Sequence, residues 1–268
     1  MAQRTGRART RWHSVSSTRE YEGCPRRYWF GYVDKRPKDR PVPPAWRFGS
    51  VVHEALEVAY RGAMETPGTT PSDHLAAAML ALDAALARHG LETVEHRERA
   101  GSIVTSALEA DVLGAAERGA PLGVEVALRD RIDDAERIIG FVDLVLPSSD
   151  GAIELVDHKV TDRRTEPAEL HDDFQLNLYG WLARRRWPEA QRIIATLHYP
   201  TGPERVSVEL DEEGMRRADT RLRSAAEAIA RDTVFEATPS ERCSHCPWQP
   251  SCPEGSAYST GSEGPSGP

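Results

Sequence analysis

The sequence predicts an α/β fold, a mixed sheet flanked by helices. Three observations predict it. Helix-patterned segments, two of them rich in alanine, fill most of the chain up to about residue 120. Three short segments rich in Val, Ile and Leu then follow, separated by turn signals. A helix next leads into two more such segments and a final amphipathic helix, an order that suits a sheet covered by helices.

Residues 1–13 carry Arg4, Arg7, Arg9 and Arg11 and little that is apolar, so a disordered basic tail is expected. Ser14 to Val33 reads as a short helix. Ser16 or Ser17 would cap it, Tyr21, Cys24, Tyr28 and Trp29 recur at helical spacing, and Pro25 would split it. Arg36 to Pro44 is a charged, Pro-rich loop. From about Phe48 to Tyr60, Val52, Leu56 and Ala59 mark one face of a helix. Pro67, Gly68 and Pro71 make a linker before two alanine-rich helices over about 73–89 and 92–118, and Gly119 to Pro121 ends that block.

The predicted strands are Val124–Arg129, Arg137–Leu146 and Ile153–Val160, with a hairpin turn at 148–151 between the second and third. A helix over Glu169–Arg186 follows. Strands Ile193–Tyr199 and Arg205–Leu210 turn at 201–203, and Glu212–Arg231 is the last helix. Gly, Ser and Pro dominate 254–268, which is expected to be a second disordered tail. The reading is therefore one domain over 14–253, with a helical part at 48–120, a sheet core at 121–232 and a Cys-rich segment at 243–252.

Hydrophobic residues are 39% and charged residues 28% of the chain, a globular balance. No run of 18 apolar residues exists and the start lacks the apolar stretch of a secretory signal, so no membrane span and a cytoplasmic location are expected. The net charge of −8 argues at first against a nucleic-acid partner. Its distribution argues the other way, because residues 1–47 hold twelve Lys/Arg against four Asp/Glu.

The chemistry-bearing stretch is Ile153-Glu154-Leu155-Val156-Asp157-His158-Lys159. Alternate side chains of a strand share a face, so Asp157 and Lys159 project together. Neither is cheaply buried unpaired, and both are at home at an open strand end facing a cation and a phosphate. Asp143 stands alone among the apolar residues of the preceding strand, and a hairpin would bring it beside Asp157. Two such carboxylates repel unless a cation lies between them. Hydrolysis of a phosphodiester uses this set: carboxylates for a hard cation such as Mg²⁺ or Mn²⁺, and an ammonium near the attacked phosphate. His53 near a helix start is a further ligand type, although Glu57 one turn on would also pair with it. Gln175 and Tyr179 share one helix face.

The four cysteines are Cys24, Cys243, Cys246 and Cys252. Four thiolates fill a tetrahedral zinc site or an iron–sulfur cluster, and the spacing suits both. Drawing in remote Cys24 costs roughly 5 kcal/mol of chain entropy for a free loop. A structural metal returns on the order of 10 kcal/mol. The metal wins, and the site would staple the two ends of the chain together.

The order of short motifs resembles a known family. Tyr21-Glu22-Gly23-Cys24-Pro25-Arg26-Arg27-Tyr28 comes first, then Phe48-Gly49-Ser50-Val51-Val52-His53-Glu54-Ala55-Leu56-Glu57, Gly140-Phe141-Val142-Asp143 and Val156-Asp157-His158-Lys159. Gln175-Leu176-Asn177-Leu178-Tyr179 and Cys243-Ser244-His245-Cys246 with Cys252 complete it. This series, over about 14–253, resembles the RecB-like nucleases of the PD-(D/E)XK superfamily, which include stand-alone exonucleases and CRISPR adaptation nucleases. His158 stands where an aromatic residue is common, and Val160 where a threonine is common.

The resemblance implies a restriction-endonuclease-like core with a helical insertion, and a metal-dependent deoxyribonuclease acting on single-stranded or end-frayed DNA in repair or recombination. It implies Mg²⁺ or Mn²⁺ on His53, Asp143, Asp157 and the His158 backbone carbonyl. Lys159 would orient the attacking water, with Gln175 and Tyr179 in support, and Glu125 is either an accessory acid or a solvent-facing residue at a strand edge. It favours a [4Fe–4S] cluster on the four cysteines over structural zinc. Arg26, Arg27, Lys35 and Arg36 would guide the DNA backbone, while Tyr28 and Trp29 would stack on a base or lie buried near Cys24. A helicase or integrase partner is left open. The other readings are a nuclease trimming spacer precursors for a CRISPR system and a non-catalytic DNA-binding module with a structural metal.

Overall fold

The computed structural model describes residues 10–66, 68–111, 119–148, 150–202 and 204–261. The expected helix end at 112–118, the first nine residues of the basic tail, the last seven residues, and Pro67, Ser149 and Pro203 of the predicted linker and turns lie outside them. The chain divides into two compact units. One comprises Met1–Val42, Arg131–Ile138 and Thr220–Pro268, the other Pro43–Asp130 and Ile139–Asp219.

The larger unit opens with three helices, α3 (Pro44–Glu65), α4 (Pro71–His89) and α5 (Val94–Asp111). Helix α3 starts earlier than the hydrophobic period predicts because Pro44 occupies its first turn, where a missing N–H costs nothing. Thr70 and Asp73 cap α4 reciprocally, and Gly90 ends it in the left-handed conformation. These helices bury one continuous core that includes Val52, Leu56, Leu82, Leu86 and Val104, and they pack it on Leu144, Leu146 and Val156 of the sheet.

The strands follow as β2 (Gly123–Arg131), β3 (Glu136–Pro147), β4 (Ile153–His158), β5 (Ile193–Tyr199) and β6 (Glu204–Glu209). Strand β3 pairs antiparallel with β4, β4 parallel with β5, and β5 antiparallel with β6, while β2 also pairs with β3. The mixed sheet flanked by helices is the one the sequence predicts. The predicted helix over 169–186 is two helices, α6 (Pro167–His171) and α7 (Phe174–Arg186). Asp173 breaks them: it accepts from the Leu176 backbone N–H and restarts the helix. Helix α7 lies close against β3, where a Cβ on Gly140 would sit 2.8 Å from Tyr179 Cε1. Glycine at 140 is what admits the Tyr179 ring.

The smaller unit contains β1 (Arg11–His13), α1 (Val15–Gly23), α2 (Pro25–Tyr28), a π-turn at Trp29–Val33, the end of α8 (Glu212–Arg231) and α9 (Pro253–Gly261). Two tail expectations are corrected here. Arg11–His13 pairs in parallel with Glu136–Ile138, anchored by fully buried His13 on Glu136. Residues 253–261 form a helix instead of a disordered tail. Pro253 favours its first turn, and Ser256 ties it to Cys252 and Gln249 through its N–H and hydroxyl. Pro25 splits α1 from α2 as expected.

Candidate active site

All residues of the site lie in the larger unit. They line an open cleft of about 780 Å³ bounded by Trp46, His53, Glu125, Asp143, Asp157 and Lys159, among others. The β3–β4 register pairs Leu144 with Val156, so one step further Asp143 meets Asp157. Asp143 Oδ2 accepts the backbone N–H of His158 at 2.7 Å. Lys159 Nζ lies 2.6 Å from Asp157 Oδ2. Gln175 Nε2 donates to Asp157 Oδ1 at 2.7 Å and to the Tyr179 hydroxyl at 3.0 Å, which the i, i+4 spacing on α7 makes natural.

His53 and Glu125 complete the group. His53, Glu125 and Asp143 bring ligand atoms within 4.8 Å of one another. His53 Nε2 donates to the His158 carbonyl at 3.0 Å, so this carbonyl braces the ring. Burial lowers the His53 pKa and keeps the imidazole neutral, against the pull of Asp157 and Glu125. With the proton on Nε2, the Nδ1 lone pair faces Asp143 Oδ2 at 3.5 Å. Such a facing pair is relieved by a proton on Asp143 or, once that proton is displaced, by a cation between them. Glu125 adds another sign: it holds φ at +49°, a left-handed conformation costly for a residue with a Cβ. That kink in β2 aims a carboxylate into the cluster, as bulges near active sites do.

The electrostatics agree. Burial, then the charges of Asp143 and Glu57, push Glu125 up to about 7. Burial, then the charge of Asp157, push Asp143 up to about 7, against the His158 N–H and Lys159. The donor set of one neutral imidazole and clustered carboxylates fits a hard divalent cation. Such an ion would be held by His53, Glu125 and Asp143, with Asp157 facing the same cleft.

A pH dependence follows. Unfolded carboxyls ionise near pH 4, whereas Glu125 and Asp143 keep their protons up to about 7. The folded protein binds more protons between these values, so its metal-free stability falls as pH rises from about 4 to 7. A cation must displace the same protons, and its affinity rises over that window. The rise in Tm produced by Mn²⁺ is expected to be larger at pH 8 than at pH 5.5. Equal shifts in differential scanning fluorimetry at the two pH values would contradict this account.

Some residues stand elsewhere than expected. Glu57 pairs with Arg61, one turn on, and not with His53. Arg26, Arg27 and Arg36 belong to the smaller unit and have structural partners: Arg26 bonds the Phe235 carbonyl, Arg27 meets Glu20, and Arg36 meets Asp34 and lies over Phe30. Lys35 holds a positive φ in the same segment. Tyr28 is buried against Phe235 and Ile229. His198 is a contributor that the sequence reading missed: its Nδ1 lies 3.1 Å from His158 Nδ1, and Tyr60 stacks on the His158 ring. A histidine in an otherwise apolar strand was the available signal.

The smaller unit holds a second constellation. Cys24, Cys243, Cys246 and Cys252 line one cavity with Thr238 and Gly255. Cys24 Sγ accepts the Thr238 N–H at 3.4 Å. Phe30, Trp248 and Cys252 pack together, and the Trp248 indole donates to the carbonyls of Arg36 and Pro37. Burial raises the thiol pKa of Cys246 and Cys252, and neighbouring cysteines add to it.

Among solved structures the chain is similar to a Eubacterium rectale protein named "Putative exonuclease", at 14% identity and TM-score 0.52, covering 82% of this chain and 80% of that one. That likeness concerns the fold. SSO0001 (15% identity, TM-score 0.31, 80% and 96% covered) and LHK-Exo in complex with dAMP (10%, 0.27, 69% and 92%) are more distant. No curated protein matches. The family model described as the PD-(D/E)XK nuclease superfamily matches residues 13–253, so strands β3 and β4 and both constellations fall inside it, and this chain belongs to that superfamily of divalent-metal nucleases.

Proposed function

We propose that the chain is a RecB-like deoxyribonuclease that hydrolyses phosphodiesters of single-stranded or end-frayed DNA with Mg²⁺ or Mn²⁺, in repair or recombination. The observation that carries this reading is the facing of His53 Nδ1, Glu125, Asp143 and Asp157 in one cleft with a lysine ammonium. When bound, a divalent cation would supply a water of lowered pKa and compensate charge at the phosphate. Lys159 would lend its charge to the attacked phosphate, with Asp157 fixing the direction of the ammonium. Gln175 would hold Asp157 by its Oδ1 and so leave Oδ2 to the reaction. Asp143, tied to the His158 N–H, would keep one oxygen toward the cation.

We read the four cysteines as ligands of a [4Fe–4S] cluster. All four line one cavity, and the resemblance, with one early and three late cysteines, favours the cluster over a single zinc ion, which four thiolates would also fill.

The test is digestion of 5′- and 3′-labelled single- and double-stranded DNA with Mg²⁺ or Mn²⁺. Release of short products from an end is expected. A protein that binds DNA and cuts none would instead be a non-catalytic binding module. Within this reading, Gln175→Ala is expected to lower kcat about 10- to 100-fold through the orientation of Asp157. An unchanged kcat at saturating Mn²⁺ would show that Asp157 needs no such support.

A further inference from the structure

The cleft poses a binding problem. Its wall contains Glu54, Glu57, Glu125, Asp143 and Asp157 against the ammonium of Lys159. Glu54 is met by Arg88 and His89, and Glu57 by Arg61. Asp157 is met by Lys159, and Glu125 and Asp143 face the cation with His53. Even with a divalent ion bound, this wall offers a polyanion little charge to hold on to. Within the cleft, the hold on a nucleic-acid strand must therefore draw on contacts that do not depend on charge.

Two side chains offer such contacts. Trp46, in the first turn of α3, lines the cleft and is 63% exposed. Gly49, three residues on and on the same helix face, also lines the cleft and has open space where a Cβ would be. Room thus remains for a flat group beside the indole. Phe141 is 51% exposed between buried Gly140 and Val142, on the strand that carries Asp143. Phe141 and Asp143 lie two positions apart along the strand, about 7 Å. Isolated exposed apolar residues are ordinary; these two stand on the elements that carry His53 and Asp143.

We infer that Trp46 and Phe141 are stacking platforms for unpaired bases beside the scissile phosphate, and that they set a preference for single strands. This rests on the nuclease reading above. Every base has a flat face, so such platforms are indifferent to sequence. In a duplex those faces are already stacked and out of reach. Removing one platform is expected to weaken single-strand binding about 5- to 150-fold.

The test measures binding of a labelled single-stranded oligonucleotide and its blunt duplex by fluorescence anisotropy in Ca²⁺, and cleavage of both in Mn²⁺. Trp46→Ala and Phe141→Ala are each expected to weaken single-strand binding at least about fivefold, to leave duplex binding within about twofold, and to raise KM more than they lower kcat. The dependence of binding on salt should not change, because no phosphate contact is lost. Trp46→Phe, which keeps a ring, should retain most of the affinity and controls for folding. Alanine variants that bind single strands like wild type, or that lose both substrates equally, would overturn the inference while wild-type cleavage left the nuclease reading standing. A wild-type protein that neither binds nor cuts DNA would sink both.

Discussion

Asp157→Asn is expected to lower kcat by at least about 10³-fold while the metal-free protein melts no lower than wild type. The loss follows from what Asp157 touches. Its Oδ2 is 2.6 Å from Lys159 Nζ and its Oδ1 accepts from Gln175, so one carboxylate organises both groups. Removing a single electrostatic contact in a preorganised site costs about 10² to 10³ in kcat; Asp157 directs one such contact and faces the cation's cleft as well. The retained stability follows from the same crowding. The charge of Asp157 is the second cause, after burial, of the raised pKa of Asp143. Neutralising it removes repulsion that the fold carries for its chemistry, a common conflict between function and stability. An isosteric amide also keeps a hydrogen-bonding oxygen for Gln175. Single-turnover cleavage of end-labelled DNA and thermal melts in EDTA read the two halves separately. Cleavage that survives the substitution would remove Asp157 from the site, and a melt several degrees lower would mean that its role is structural.

The parts of this arrangement legible in the sequence are those with local causes. Asp157 and Lys159 share a face because strand side chains alternate, and the β3–β4 hairpin brings Asp143 opposite. What stayed hidden has long-range or backbone causes. Glu125 reads as an edge residue until φ at +49° turns it inward, and no residue-type rule assigns that conformation to a glutamate. The pairing of Arg11–His13 with Glu136–Ile138 joins three residues across more than a hundred, which no local pattern reveals. Gly, Ser and Pro in 253–261 read as disorder, yet the helix there is tied to the cysteine loop by Ser256. Glu57 had both His53 and Arg61 within one turn; the guanidinium, always charged, takes it.

Cys24→Ser is expected to lower iron and sulfide content to near background and to lower the first thermal transition by at least about 10 °C, with Mn²⁺ binding in the cleft preserved. A structural metal group contributes on the order of 10 kcal/mol in small domains, comparable with the whole stability of about 5–15 kcal/mol typical of a folded chain. The smaller unit has modest apolar means of its own: one cluster of Tyr28, Ile229 and Phe235 and another of Phe30, Trp248 and Cys252. The second cluster contains one cysteine of the set outright and packs against Cys246, so the cysteine cavity and the apolar packing stand or fall together. Cys24 is the member whose loss separates the early segment from the late one, since the other three lie within ten residues of one another. At about 2–4 °C per kcal/mol, losing half of such a contribution moves the transition by about 10–20 °C. The cleft ligands belong to the larger unit, with its own continuous core, so titration with Mn²⁺ by electron paramagnetic resonance should give an affinity close to wild type at temperatures below the first transition. A wild-type protein that carries one zinc and no sulfide would replace the cluster with a single ion. A Cys24→Ser variant that keeps its iron and its melting temperature would mean that the remaining three cysteines suffice, and the idea that Cys24 joins the two segments through a metal group would have to be given up.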